Sequence, residues 1–210
     1  MKNFVFFVIL IVVMYMKFFK NKRNVIKLIL FCIMIYLFAY LGTKEYQTDV
    51  VDNIRFANEY KDISKNNVFV YLNENKVLEI LNGKSGILFM GFPSNIWSHY
   101  YAEYLNEVAI NNHIEEIYYY DFRKDRNLNN NTYTNIVNKL KEYLTFDDIG
   151  NMDLSAPTIV IVKNGEILYF DDEITYIKGE IRPEDYFTDY RKNLVKTNFD
   201  LAIKSFKGSE

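Results

Sequence analysis

Few side chains in this sequence are of kinds that make or break bonds. Ser98 and His99 are neighbours, and a hydroxyl beside an imidazole is the minimum for a nucleophile with its base. Both fall at the start of a helical pattern, where adjacent residues point about 100° apart, and no acid stands where it would orient the ring. The other histidine, His113, comes at the end of the same pattern, where the helix dipole favours a cation and capping is the expected role. Two His and one Cys argue against a transition-metal site, a disulfide framework and an intramolecular dithiol cycle. Asp121, Asp125, Asp147, Asp148 and Asp153 do not follow calcium-loop spacing and read as solvated loop charges. No glycine-rich phosphate loop occurs. The expectation is therefore no catalytic residue, no metal and no cofactor. A net charge of −2 argues against a general nucleic-acid binder. What stands out is geometric: Gly91-Phe92-Pro93-Ser94-Asn95-Ile96-Trp97-Ser98 ends an apolar run and opens a helix, with Asn95 well suited to cap it.

The elements around that turn alternate. Val68–Leu72 is a short apolar run, and Val77–Leu81 fits a short helix ended by Gly83. Gly86–Phe92 is fully apolar and too short for a helix, which suits a central buried strand. Residues 94–112 carry Trp97, Tyr101, Tyr104, Leu105 and Val108 at helical spacing. Ile117–Phe122 reads as a strand, and its Tyr118-Tyr119-Tyr120 must alternate between the two faces. An Asn-rich turn at 127–131 precedes a helix over Thr132–Leu144. Thr158–Val162, a turn at Gly165 and Glu166–Phe170 form a hairpin, and Pro183 introduces a terminal helix over about 184–206. The order βαβαβαββα argues for an α/β mixed sheet with helices on both faces. Half of the residues are apolar, enough to bury a core and to exclude wholesale disorder.

Charge is unevenly placed along the chain. Residues 1–41 hold six Lys and Arg and no acid, +6, which leaves −8 for the rest. Phe4–Met16 and Leu28–Leu41 are unbroken apolar runs on either side of Lys20-Asn21-Lys22-Arg23. Both are shorter than the roughly 20 residues of a spanning helix, though flanking lysines extend the usable length by snorkelling. Either both span as a hairpin with the basic loop inside, or translation starts at Met14 or Met16 and one signal anchor spans at 25–41. Both arrangements put the acidic body outside the cell membrane. The expected domains are 1–42, an anchor of one or two transmembrane helices in the lipid bilayer; 43–66, a stalk helix or linker patterned by Val50, Ile54, Ala57 and Ile63; and 67–210, the folded domain.

The turn at 91–98, the Ala156-Pro157-Thr158 start of the next apolar strand, the turn at Gly165 and Gly179 before the last helix together resemble the thioredoxin-like superfamily. The resemblance is to its bacteriocin-transport-accessory-like branch, found in Gram-positive bacteria, and covers about 67–200. In that branch the strand ends in G-x-P-x-C-x-W-C, and the X-Pro-Thr strand start carries a cis-proline. Here Asn95 and Ser98 stand in the two cysteine places, and Phe89 where thioredoxins proper keep a buried carboxylate. Thiol exchange needs a thiolate, so an amide and a hydroxyl cannot perform it. The only cysteine, Cys32, lies in the second apolar run, Leu28–Leu41. The resemblance implies a surviving peptide-holding surface at Pro93, Trp97, Ala156, Pro157 and Thr158, working by strand addition.

The expected function is a membrane-anchored, redox-inactive thioredoxin-like binding or assembly module for a protein or peptide partner, with a role near peptide or bacteriocin export or envelope assembly. Two alternatives belong to other classes: an oxidoreductase-related protein working through a cysteine-bearing partner, and a structural membrane subunit. The 123–156 connection is longer than that family's minimum, and its Arg123-Lys124-Asp125-Arg126 start offers a partner surface or, with the following helix, a cover for one sheet face.

Overall fold

In a computed structural model of the chain, the described residues are 30–36, 52–144, 146, 150, 152–172 and 181–208. The chain divides into two compact units, Met1–Asp49 and Val50–Glu210. Of the first, a helix α1 over 30–36 is described. No helix among the described residues is long and apolar enough to cross a membrane. The expected fold class is corrected accordingly, to a mixed α/β sheet flanked by helices, with no spanning helix among the described residues. The run at 4–16 and most of the run at 28–41 lie outside the described residues.

The second unit runs α2 (52–59), β1 (Phe69–Tyr71), α3 (Glu74–Leu81), β2 (Gly86–Met90), α4 (Ile96–Asn111), β3 (Ile117–Tyr120), α5 (Arg123–Leu128), α6 (Asn131–Leu140), β4 (Thr158–Lys163), β5 (Glu166–Asp171), α7 (Pro183–Tyr186) and α8 (Asp189–Gly208). The five strands lie in the order β1-β3-β2-β4-β5. β1, β3 and β2 are parallel, while β4 runs antiparallel to β2 and β5 antiparallel to β4. All five residues of β2 are buried, as a strand covered on both faces requires. Side chains then alternate between two cores. Ile87, Phe89, Tyr119, Ile159 and Ile161 face α2, α4 and α8, whereas Leu88, Met90, Tyr120, Val160 and Val162 face α3 and α6. The β1-to-β2 and β2-to-β3 crossovers travel in opposite directions, so helices α3 and α4 cover opposite faces, the arrangement that in open α/β sheets leaves a crevice outside the carboxyl ends of the strands, here that of β2.

Three segments depart from the sequence reading. Residues 52–63, read as part of a stalk, belong to the folded unit: Phe56 and Tyr60 are fully buried, and Phe56 stacks on Phe69 of β1 at 3.9 Å. A helix, α5, precedes the Asn-rich turn, where Asn129 takes a left-handed φ of 45° and Asn130 caps α6 by accepting from Tyr133 N at 2.7 Å. The terminal helix is broken at 187–188, because Phe187 leaves the helical path to pack against Trp97, Tyr100, Tyr101 and Tyr104. The β4–β5 hairpin closes through Asn164 and Gly165, both at positive φ. A side chain at Gly165 would stand 2.9 Å from the backbone of Gly83.

Candidate functional site

β2 delivers the chain to the crevice. Met90, its last residue, pairs with Thr158 at the start of β4 on one side and with Tyr120 at the end of β3 on the other. Gly91 N continues the second ladder by donating to Tyr120 O at 3.2 Å. The register therefore sets Pro157, one residue before Thr158, beside Gly91 at the same sheet end. The Ala156–Pro157 peptide bond is cis. Pro157 and Thr158 are buried, and Thr158 Oγ1 donates to Ser155 O at 2.7 Å, which fixes the corner before the strand.

Asn95 is in extended conformation, and its Oδ1 accepts from Ser98 N at 3.0 Å, the N-cap of α4. Ser98 Oγ donates to the same oxygen at 3.4 Å. Ser98 is fully buried, and a Cβ built on Gly91 would lie 2.8 Å from its Oγ. The hydroxyl is thus packed between loop and helix and is not presented to solvent. His99 serves a different partner: its Nε2 lies 2.8 Å from Pro93 O, and since a carbonyl only accepts, that nitrogen carries the proton. The imidazole rests against Tyr60 at 4.9 Å and ties the loop to the helix. Ser98 and His99 therefore do not form a nucleophile and base.

Pro93 and Trp97 are half-buried. Trp97 turns toward α7, edge-on to Tyr186 at 5.4 Å and Phe187 at 5.7 Å, while Ile96 beside it is 53% exposed. The structure thus brings Pro93, Asn95, Ser98, Ala156, Pro157 and Thr158 to one sheet end, and Trp97 forms a wall on its α7 side. Gly179, Asp147 and Asp148 lie outside the described residues.

The opposite wall is aromatic and basic. Phe92 lies 5.4 Å from the guanidinium carbons of both Arg123 and Arg126, and packs edge-on to Phe122. Arg123 Nη1 donates to Ser94 Oγ at 2.8 Å, joining α5 to the loop, and its Nη2 reaches Asp121 at 3.4 Å. The contacts that join Phe92 and Ser94 to Arg123 span 29 or more residues of chain. The cationic start of the 123–156 connection was its one local signal.

Carboxylates near the crevice are engaged by tyrosines. Tyr120 OH donates to Asp125 Oδ2 at 2.7 Å, and Tyr133 OH donates to Asp153 Oδ1. Burial, and then the hydrogen bond to each carboxylate, push both phenols well above the ordinary range, so they remain neutral donors. Deeper in, Tyr60 OH donates to Tyr119 OH at 3.2 Å, and burial raises both. Among the described residues no group of His, Cys, Asp and Glu could hold a metal ion. Comparison with protein-family models, curated proteins and solved structures found no match to this chain.

Proposed function

We propose that this chain is a thioredoxin-like protein without dithiol chemistry, and that its paired loops, Gly91–Asn95 and Ser155–Pro157, hold an extended segment of a partner polypeptide. The observation that carries the reading is the register. Met90 opposite Thr158 puts the degenerate motif and the proline corner side by side, as such a site requires. Ser155 and Ala156 precede the β4 ladder, which starts at Thr158, and a partner strand would take its backbone pairing beside them. Asn95 and Ser98 are committed to capping and packing, so the site serves binding and not electron transfer. The partner class follows from the resemblance: a component of peptide or bacteriocin export, or of envelope assembly.

Two measurements test the reading. The 210-residue chain should reduce insulin no faster than buffer; turnover ends the claim of inert chemistry. A photoreactive amino acid at exposed Ile96 should crosslink a polypeptide in intact cells, whereas the same group at Leu201, 61% exposed on α8, should not. Equal labelling at both positions, or none at 96, removes the binding site.

A further inference from the structure

We propose that the segment held at the paired loops is acidic, and that Lys124 and Arg126 receive its carboxylates. This rests on the peptide-holding reading and adds the chemistry of the ligand. Three cations, Arg123, Lys124 and Arg126, and the carboxylates Asp121, Asp125 and Asp153 stand in this corner, with Glu74 also near Tyr120, so a count by sequence gives no positive patch. The hydrogen bonds divide them. Asp121 accepts from Arg123 N and Arg123 Nη2. Asp125 accepts from Tyr120 OH on one oxygen and Asn130 Nδ2 on the other. Asp153 accepts from Tyr133 OH and Leu154 N. Each of these three carboxylates thus accepts at least two hydrogen bonds from within the fold.

The cations are not all answered in this way. Arg123 is spent on Ser94 and Asp121, but Lys124 and Arg126 have no acceptor among the described residues. Arg126 is half-buried, its guanidinium carbon 5.4 Å from the Phe92 ring and 5.3 Å from Phe122. Contact with two rings holds the guanidinium beside them, and its N–H groups, which meet no acceptor among the described residues, can take a carboxylate in bidentate fashion. Phe92 follows Gly91 directly, so this donor stands over the loop that would hold the peptide.

The test is a selection of mRNA-displayed random octapeptides on the immobilised 210-residue chain. Two rim ion pairs predict roughly a five-fold enrichment of Asp plus Glu over Lys plus Arg in the recovered pool. The Lys124→Gln/Arg126→Gln variant should recover peptides without that bias, and Lys124→Arg should retain it. Trp97 fluorescence reports that each variant is folded. A pool enriched over bare support but without acidic bias overturns this inference and leaves the peptide-holding reading standing. No enrichment over bare support overturns the peptide-holding reading itself. A thymidine octanucleotide that binds more tightly than the recovered acidic peptides, through the same two cations, also overturns the inference.

Discussion

Gly91→Ala tests whether the loop docks on the helix as described. The added methyl would lie 2.8 Å from Ser98 Oγ and 3.4 Å from Ser98 Cβ, with Phe89 Cζ at 3.5 Å. Ser98 is fully buried and next to its cap, so its hydroxyl has nowhere to withdraw. Overpacking of this kind costs about 1–3 kcal/mol. Gly91 does not sit at a positive φ, so replacing it also restricts the unfolded chain and returns about 0.4–1 kcal/mol. The net expectation is a loss of about 1–2 kcal/mol, or about 2–8 °C in Tm for a unit of this size. Ser98→Ala removes the clashing oxygen and one long hydrogen bond, and alone should cost about 0.5–1 kcal/mol. In the double variant the methyl meets only ordinary or slightly tight contacts, so its stability should approach that of Ser98→Ala. The assay is urea unfolding followed by Trp97, the single tryptophan, which packs on α7 beside the loop. A Gly91→Ala protein within about 0.5 kcal/mol of the parent refutes the docking, as does a double variant whose losses merely add.

Asn95→Ala should lose about 1 kcal/mol by uncapping α4, and Asn95→Asp should recover it through the same oxygen acceptor at a helix N-terminus; equal losses would disprove the cap. Asn95→Cys with Ser98→Cys should form a bond that dithiothreitol reduces, leaving Cys32 as the one thiol open to a maleimide, since the two side chains already meet at 3.4 Å. A folded double variant with three reactive thiols would place them wrongly. Tyr60 and Tyr119 are held neutral by burial, their folded pKa values lying above the unfolded value near 10. Their contribution is complete below about pH 10 and is lost as pH rises above it, by about 3 kcal/mol per unit for the pair. Urea midpoints between pH 9 and 11 should fall more steeply for the parent than for Tyr60→Phe/Tyr119→Phe; parallel slopes would refute the assignment.

How far the fold was legible depends on whether an element announces itself locally. β2 and β4 are apolar runs too short for helices, and α4 carries its cap and its buried stripe within one window, so their places follow from spacing. α2 is legible only in part: of the residues that pattern it, Ile63 is buried just beyond the helix but Ile54 is 39% exposed, and the pattern passes over Phe56 and Tyr60, which are fully buried. Tyr60 is tolerated inside because its hydroxyl meets Tyr119, 59 residues away, a contact no local window contains. α5 buries nothing, so no apolar period could reveal it. At the site, residues 93–98 and 156–158 were readable as turn and strand start, but Arg123 bonding Ser94 across 29 residues was not.

The same distinction governs the charge. Beyond residue 41 the chain carries −8, which by itself would repel an acidic ligand. A ligand at the crevice does not meet that total, because interactions between exposed charges fade over about 8 Å at physiological ionic strength. It meets the groups at hand, and there Tyr120, Asn130 and Tyr133 have already occupied the carboxylates. A neutral tyrosine bonded to an aspartate leaves the negative charge in place but takes up part of its acceptor capacity, while the side chains of Lys124 and Arg126 have no acceptor among the described residues. What a ligand can bond directly at a site is thus set by which groups the fold leaves unanswered, and composition reports only the sum.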